Sequence, residues 1–312
     1  MQLFRYKQDR IPVLLFTALF ALDVTVFFTS TNWWLPPLWT LVWLLPKAYI
    51  CAWNHHHQHL SMFLHTPLNR ALEVVFAFQT GISSHAWTLH HVLGHHVNYL
   101  DQKLDESRWA RDDGSRMGEL EYTLITAATA YTRALEVGKK YPEKRRILIT
   151  WMVVCGALLL AAFIHNPYNA LFVFAIPMTI SLLITVWITY FHHSNLVTDS
   201  DFEGSYNILD KGFNRWSGNL GYHTAHHYRQ GVHWSQLPEL HAQIADKIPA
   251  HCFRESRWKS LVDRQRVKYQ RRRANKARRK NGPMKPALDV AREVAPAIAQ
   301  ANIASDAHAA QG

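Results

Sequence analysis

Four stretches of the chain are nearly unbroken runs of apolar residues, and they come in two pairs. Ile11 to Thr29 is followed after a few residues by Trp33 to Trp53, a run interrupted by prolines and Lys47. Ile147 to Ile164 is followed in the same way by Tyr168 to Phe191. Each run approaches the roughly 20 residues that a helix needs to cross a bilayer. A core helix of a soluble protein can be as apolar, but four runs paired across very short connectors point to membrane hairpins. The expected fold is therefore an all-α membrane protein with four transmembrane helices in two hairpins, at about 11–29, 33–53, 147–165 and 168–191. Residues 70–84 are apolar in patches but too short to span, and read as an interfacial or core helix with Gly81 near its end. The mean hydropathy of −0.16 averages the hairpins with long polar segments.

Charge sets the expected orientation. Arg5, Lys7 and Arg10 precede the first run, and Lys139, Lys140, Lys144, Arg145 and Arg146 precede the third. The connectors Ser30 to Asn32 and His165 to Pro167 carry no Lys or Arg. Positive charge collects on the cytoplasmic side, so both termini and the long middle segment are expected there, in a bacterial cytoplasmic membrane. The first run has no small-residue cleavage site before Asn32 and leads directly into a second run, so it reads as a retained helix rather than a signal peptide. Asp23, in its middle, is costly in lipid unless it faces other helices or water. It is either a functional group or half of a buried polar pair.

Three histidine clusters then carry the chemistry. They are His55-His56-His57-Gln58-His59, His91-Val-Leu-Gly-His95-His96 and His223-Thr-Ala-His226-His227. On a helix, residues three and four apart share a face, so each cluster is expected to aim its rings at one point. Neutral imidazole is the commonest protein ligand for first-row transition metals. Reduced to HxxxH, HxxxHH and HxxHH, the clusters offer eight imidazoles, more than one ion needs, so the pattern asks for two ions side by side. All three clusters fall on the expected cytoplasmic side. A polar stretch from Asn98 to Glu121 brings Asp101, Asp105, Glu106, Asp112 and Asp113, and Tyr190-Phe-His192-His193-Ser-Asn195 follows the fourth run.

Two further features limit the reading. Cys51, Cys155 and Cys252 are scattered with no CxxC, which excludes a cysteine-bound iron–sulfur centre in this chain and suggests no disulfide framework. From Arg254 to Lys285 there are fourteen Lys or Arg against Glu255 and Asp263, a net of +12, while the whole chain is +11, so the rest is essentially neutral. Such a run reads as a solvated, disordered arm over 254–312, and its simplest partner is an anionic lipid surface. No stacking or base-reading motif accompanies it, which argues against nucleic acid.

With hairpins and histidine clusters together, the chain resembles the integral-membrane fatty acid desaturases, the non-haem di-iron family with three histidine boxes. The boxes here are His55/His59, His91/His95/His96 and His223/His226/His227, in the family's order over about residues 10–245, within a desaturase-like domain at 1–253. Asn219 to His227, followed by His233-Trp-Ser-Gln-Leu-Pro-Glu-Leu-His241, also resembles the family's third-box region. The resemblance implies a di-metal centre in a cytoplasmic helical cap above four spanning helices, with a further ligand between boxes two and three. His192 and His193 are the choices for it, and His193 is preferred because one of the pair should point away. The first box departs from commoner forms, so His56/His59 stands as an alternative to His55/His59. His57, His65, His85, His90, His233 and His241 are expected to pack or hydrogen-bond rather than ligate. Asp101, Asp105, Glu106 and Asn195 are plausible partners for the far ring nitrogens of the ligands.

The implied chemistry is oxidation of a fatty acid or fatty acyl chain by two iron ions with dioxygen as co-substrate. Unactivated C–H bonds lie beyond side-chain acids and bases, and zinc cannot supply the redox change. The substrate is expected in a narrow apolar tunnel below the metals. The same site can desaturate, hydroxylate, or, as in desaturase-like membrane decarboxylases, release carbon dioxide and leave a terminal alkene. Desaturation is the primary expectation. No flavin, nicotinamide or haem motif is evident, so electrons are expected from a separate reductase and a ferredoxin or cytochrome carrier, docked on a neutral-to-basic face. A non-enzymatic metal-binding or transport protein is the alternative of a different class, but transporter ligands belong near the bilayer midplane.

Overall fold

The computed structural model describes residues 2–256. The basic tail expected at 254–312 lies outside the described residues from 257 onward, while Arg254 belongs to the folded unit: its guanidinium lies 3.1 Å from the Tyr206 ring centroid and donates to the Phe191 carbonyl. Among the described residues there are helices and isolated β-bridges but no strand.

Among the described residues, three helices are long and apolar enough to cross a membrane. These are α1 (Arg10–Thr29, preceded by a short turn), α5 (Pro142–His165) and α6 (Pro167–His193). Between α1 and α5 come α2 (Leu35–His59), α3 (Thr66–Thr80) and α4 (Glu119–Val137). The second expected span is the outer part of α2, which has 25 residues but falls outside the apolar class. Its prolines, Lys47 and the polar stretch from Asn54 onward lower its mean hydropathy. The helices α5 and α1 are apolar on nearly all sides, and Ile11, Leu14, Val153, Leu160 and Ile164 are exposed, as suits elements whose solvent is lipid. Thr17, Thr25 and Thr29 each return their hydroxyl to a carbonyl four residues back at 2.8 Å, so no donor is left in the apolar face.

The two hairpin turns meet. Asn166 caps α6 by accepting from the Asn169 N–H at 3.0 Å, and Asn169 Nδ2 donates to the Phe27 and Ser30 carbonyls of the other turn. Tyr168 donates to the Trp33 carbonyl at 2.7 Å.

Asp23 is half of a buried pair. Lys47 Nζ lies 2.8 Å from its carboxylate, both side chains are fully enclosed, and Trp39 Nε1 donates to the same oxygen. Lys47 has a second task. Pro177 in α6 has no N–H to offer the carbonyls of Phe172 and Val173, and the helix winds as a π-turn over Leu171–Ala175. Lys47 Nζ and the Thr40 hydroxyl, both from α2, donate to those two carbonyls. The polar residues that disqualify α2 as a simple span thus complete the backbone of its neighbour.

The segment expected at 70–84 is α3, and it is a core helix rather than an interfacial one. It packs against α2 and α6, and Gln79 donates to the Phe16 carbonyl of α1 at 3.1 Å. Gly81 ends it at φ 72°, where a Cβ would stand 2.6 Å from the Met178 carbonyl oxygen, so only glycine fits. A π-helix, Thr88–His95, follows, and α4 covers it and α6. After α6 come the short helices α7 (Lys211–Ser217), α8 (His223–Tyr228) and α9 (Leu237–Ile244).

Candidate metal centre

Box one is the last turn of α2, which continues beyond the expected span. His55 and His59, four residues apart, face inward together. His56 turns the other way, its Nε2 3.1 Å from the Ser217 carbonyl, and His57 reaches Glu73 at 3.4 Å. The alternative pair His56/His59 is therefore not the one brought together.

Box two differs from the expected α-helical spacing. Thr88–His95 is a π-helix, closed by a 2.8 Å bond from the His96 N–H to the His91 carbonyl, so residues five apart share a face. His91 and His96 approach Nε2 to Nε2 at 3.0 Å, and His95 points elsewhere. One box thus feeds two points, not one. Gly94 permits this: a Cβ there would lie 2.6 Å from Glu106 Cγ, so glycine lets the following loop close down. The loop delivers Asp105 Oδ1 to His95 Nδ1 at 2.8 Å, where Ser107 N–H also donates to it.

Box three, on α8, is divided likewise. His226 Nε2 lies 2.9 Å from His55 Nε2, whereas His227 stacks beside His96 and abuts His193. His223 Nε2 is 3.0 Å from His193 Nε2. A buried asparagine holds the helix in place: Asn207 accepts from the Thr224 N–H and donates to its hydroxyl. Nothing in the sequence pattern singled Asn207 out.

The outcome is two groups of nitrogens. His55, His59, His91, His96 and His226 form one, and His95, His193 and His227 form the other, with His223 beside it. All nine imidazoles of the expected set are therefore drawn together. His193 stands in the second group with Nδ1 facing the Gly204 carbonyl at 3.0 Å, while His192 faces Tyr206 and lies outside the group. Of the four residues expected to steady far ring nitrogens, Asp105 does so. Asp101 caps the Lys103 N–H, Glu106 packs on Gly94, and Asn195 is exposed at φ 71°. These three were legible only as polar residues near the boxes, which does not say where a loop folds. Of the remaining histidines, His233 pairs with Asp9 and His241 packs on Tyr222.

The donor set fits a metal. His55 Nε2 is within 3.0 Å of both His226 and His91 Nε2, and His91 is as close to His96. One ring proton cannot satisfy three such encounters. Two nitrogens bound at right angles to one ion, each at about 2.1 Å, stand about 3.0 Å apart. Burial, followed by neighbouring imidazoles, depresses the pKa of His91, His96, His226 and His227 well below the ordinary histidine range, and that of His59 to about 3. The rings are thus neutral, with lone pairs available.

Two cavities adjoin the first group from different sides. One, narrow and partly open to solvent, reaches His91 and is lined mainly by apolar and aromatic residues, among them Ile82, Ala86, Trp87, Tyr131, Leu182 and Val186. The other is smaller and polar, and touches His59 and His226 along with Asp9, Gln230 and His233. Asp9, 1 % exposed, accepts from Trp234 Nε1 at 2.8 Å and lies 3.1 Å from His233 Nε2. Nothing in the sequence pattern singled Asp9 out.

The family model for fatty acid desaturases matches residues 31–258. No match is found among curated proteins, and none among solved structures.

Proposed function

The chain belongs to the fatty acid desaturase family, an oxidoreductase family of membrane di-iron enzymes, and from that premise we propose that it introduces a double bond into a fatty acyl chain in a dioxygen-dependent reaction. The observation that carries the reading is the division of nine enclosed imidazoles, all but His59 fully buried, into two adjoining groups, one of which contributes His91 to the lining of an apolar cavity. His55, His59, His91, His96 and His226 would hold one iron, and His95, His193, His223 and His227 the other. Two iron ions there would supply, with dioxygen, the oxidising power that an unactivated methylene requires. The balance is one dioxygen, two electrons, two protons and the two hydrogens of the substrate, giving an alkene and two waters.

The protein's own part is positioning. Asp105 keeps a proton on His95 Nδ1, which leaves Nε2 facing the second group. The cavity wall holds the chain beside His91 and keeps bulk water from it. The Leu35–His59 helix serves as the fourth spanning element. The basic residues ahead of the first and third runs support a cytoplasmic centre and termini, and the meeting of the two hairpin turns supports placing both connectors on the opposite side. A separate electron carrier supplies the reducing equivalents, and the basic tail adds attraction to anionic lipid.

Product analysis tests the reading. Lipids and headspace from cells expressing the chain are compared by gas chromatography–mass spectrometry with cells expressing His226→Ala. New internal double bonds that are absent from the variant are expected. Hydroxylated acids, or terminal alkenes one carbon shorter than a fed fatty acid, would replace desaturation with those reactions on the same centre.

A further inference from the structure

The apolar cavity has a polar end. Trp87 Nε1 and His90 Nε2 are buried without a hydrogen-bond partner, and both residues line the cavity beside His91. An indole N–H can only donate. Burying it unpaired costs free energy, and most buried polar groups are satisfied, so the Trp87 N–H, in a lining where His90 Nε2 and the Thr126 hydroxyl are also unpaired, indicates a missing acceptor. Trp87 is 9 % exposed and fixed by its ring, which stacks on His55 with centroids 5.4 Å apart.

A cation lies near His90, outside the lining itself. Arg133 shares a face of α4 with the cavity-lining residues Tyr122, Thr126 and Ala130, since all four fall within a quarter turn of one another. It is half-buried and lies close enough to His90 to act on it electrostatically. One guanidinium nitrogen donates to the Glu106 carbonyl at 2.6 Å, next to the lining residue Ser107. Among the described residues Arg133 has no carboxylate within ion-pair distance. The neighbouring acids do not neutralise it: Asp105 is committed to His95 and the Ser107 N–H, and Glu106 is only in electrostatic range, as is the second cation Arg108.

We propose that this end of the cavity is a carboxylate subsite, in which the Trp87 N–H, His90 Nε2 and Arg133 hold the head group of an unesterified fatty acid while its chain occupies the apolar remainder. One carboxylate oxygen would accept from the Trp87 N–H and the other from His90 in the tautomer with its proton on Nε2, and the acid's charge matches the nearby Arg133. An ester or thioester carries no charge and gains nothing from Arg133. This inference rests on the cavity being the acyl site of the proposed function.

The test is equilibrium binding of radiolabelled palmitic acid and of its methyl ester to the purified full chain in detergent, metal-free. The wild type is expected to bind the acid at least about tenfold more tightly than the ester. Trp87→Phe and Arg133→Gln are each expected to weaken the acid by about tenfold or more and leave the ester unchanged, with Arg133→Lys recovering part of the loss. Equal affinity for acid and ester in the wild type overturns the subsite, as does an equal loss of both ligands in the variants. Iron titration of the same preparations separates this from the functional reading. Acid preference without iron binding leaves the subsite standing and removes the di-iron assignment, and two irons per chain without acid preference does the reverse.

Discussion

Replacing Asp105 separates the two histidine groups experimentally. Its carboxylate is 1 % exposed and accepts from His95 Nδ1 at 2.8 Å and from the Ser107 N–H at 2.7 Å. Asp105→Ala removes the acceptor that fixes the His95 tautomer, so Nε2 no longer faces the second group reliably. Loss of such a partner typically lowers metal affinity about 10–100-fold, or about 1.4–2.8 kcal/mol. The loss is confined to one ion, because His95 sits with His193 and His227 while the five other rings meet elsewhere. Titrating iron into metal-free protein and counting bound ions should show one tight site kept and one weakened by that factor. Asp105→Asn keeps a neutral acceptor and forfeits the charge-assisted part of the bond, so its loss should be about tenfold or less. Two tight irons in the alanine variant would refute the orienting role. Equal weakening of both ions would refute the division of the histidines.

The other predictions use neighbouring features. His59→Ala should lose iron while His56→Ala keeps it, since His56 faces the Ser217 carbonyl; metal analysis with the reverse result would restore the alternative first box. Val186→Trp should block turnover with two irons still bound, because it fills the cavity beside His91; unchanged product formation would place the substrate elsewhere. Lys47→Met should destabilise the fold by about 3–5 kcal/mol by leaving Asp23 charged and buried, and adding Asp23→Asn should recover much of this. Melting in detergent measures both, and additive losses would show that the pair is not coupled. Gly94→Ala should weaken one iron as Asp105 does, because the new Cβ pushes against Glu106 and the loop behind it; wild-type iron affinity would show the loop is free to adjust.

What could be read in advance was what depends on local periodicity. The spans at α1, α5 and α6 follow from apolar runs of membrane length, and His55/His59 follows from i, i+4 geometry. The second arm reads as a span interrupted by Lys47, and the use of Lys47 and of Thr40 emerges only once Pro177, more than a hundred residues later, exposes the carbonyls they serve. The same limit applies to Asn207 and Asp9, polar residues with no local signature, whose partners come from distant parts of the chain.

Box two shows why spacing alone misassigned a face. HxxxHH on an α-helix places the first and second histidines together and the third to one side. On the π-helix, the first and third meet at 3.0 Å and the second turns to the other group. Both windings suit the same letters, and what selects between them is outside the box: Gly94 must admit the loop that carries Asp105, and His226 and His227 must each find a vacancy between rings from other helices. An α-helical box two would send His91 and His95 to a single point and leave His96 without a group. The extra residue in the turn is therefore the feature that lets one short segment serve two metal positions, and its stability is bound to theirs. Iron binding should accordingly raise the hydrogen-exchange protection of the amides at 91–96 more than those of α5, which contributes no ligand; equal protection in both would break the link between winding and metal.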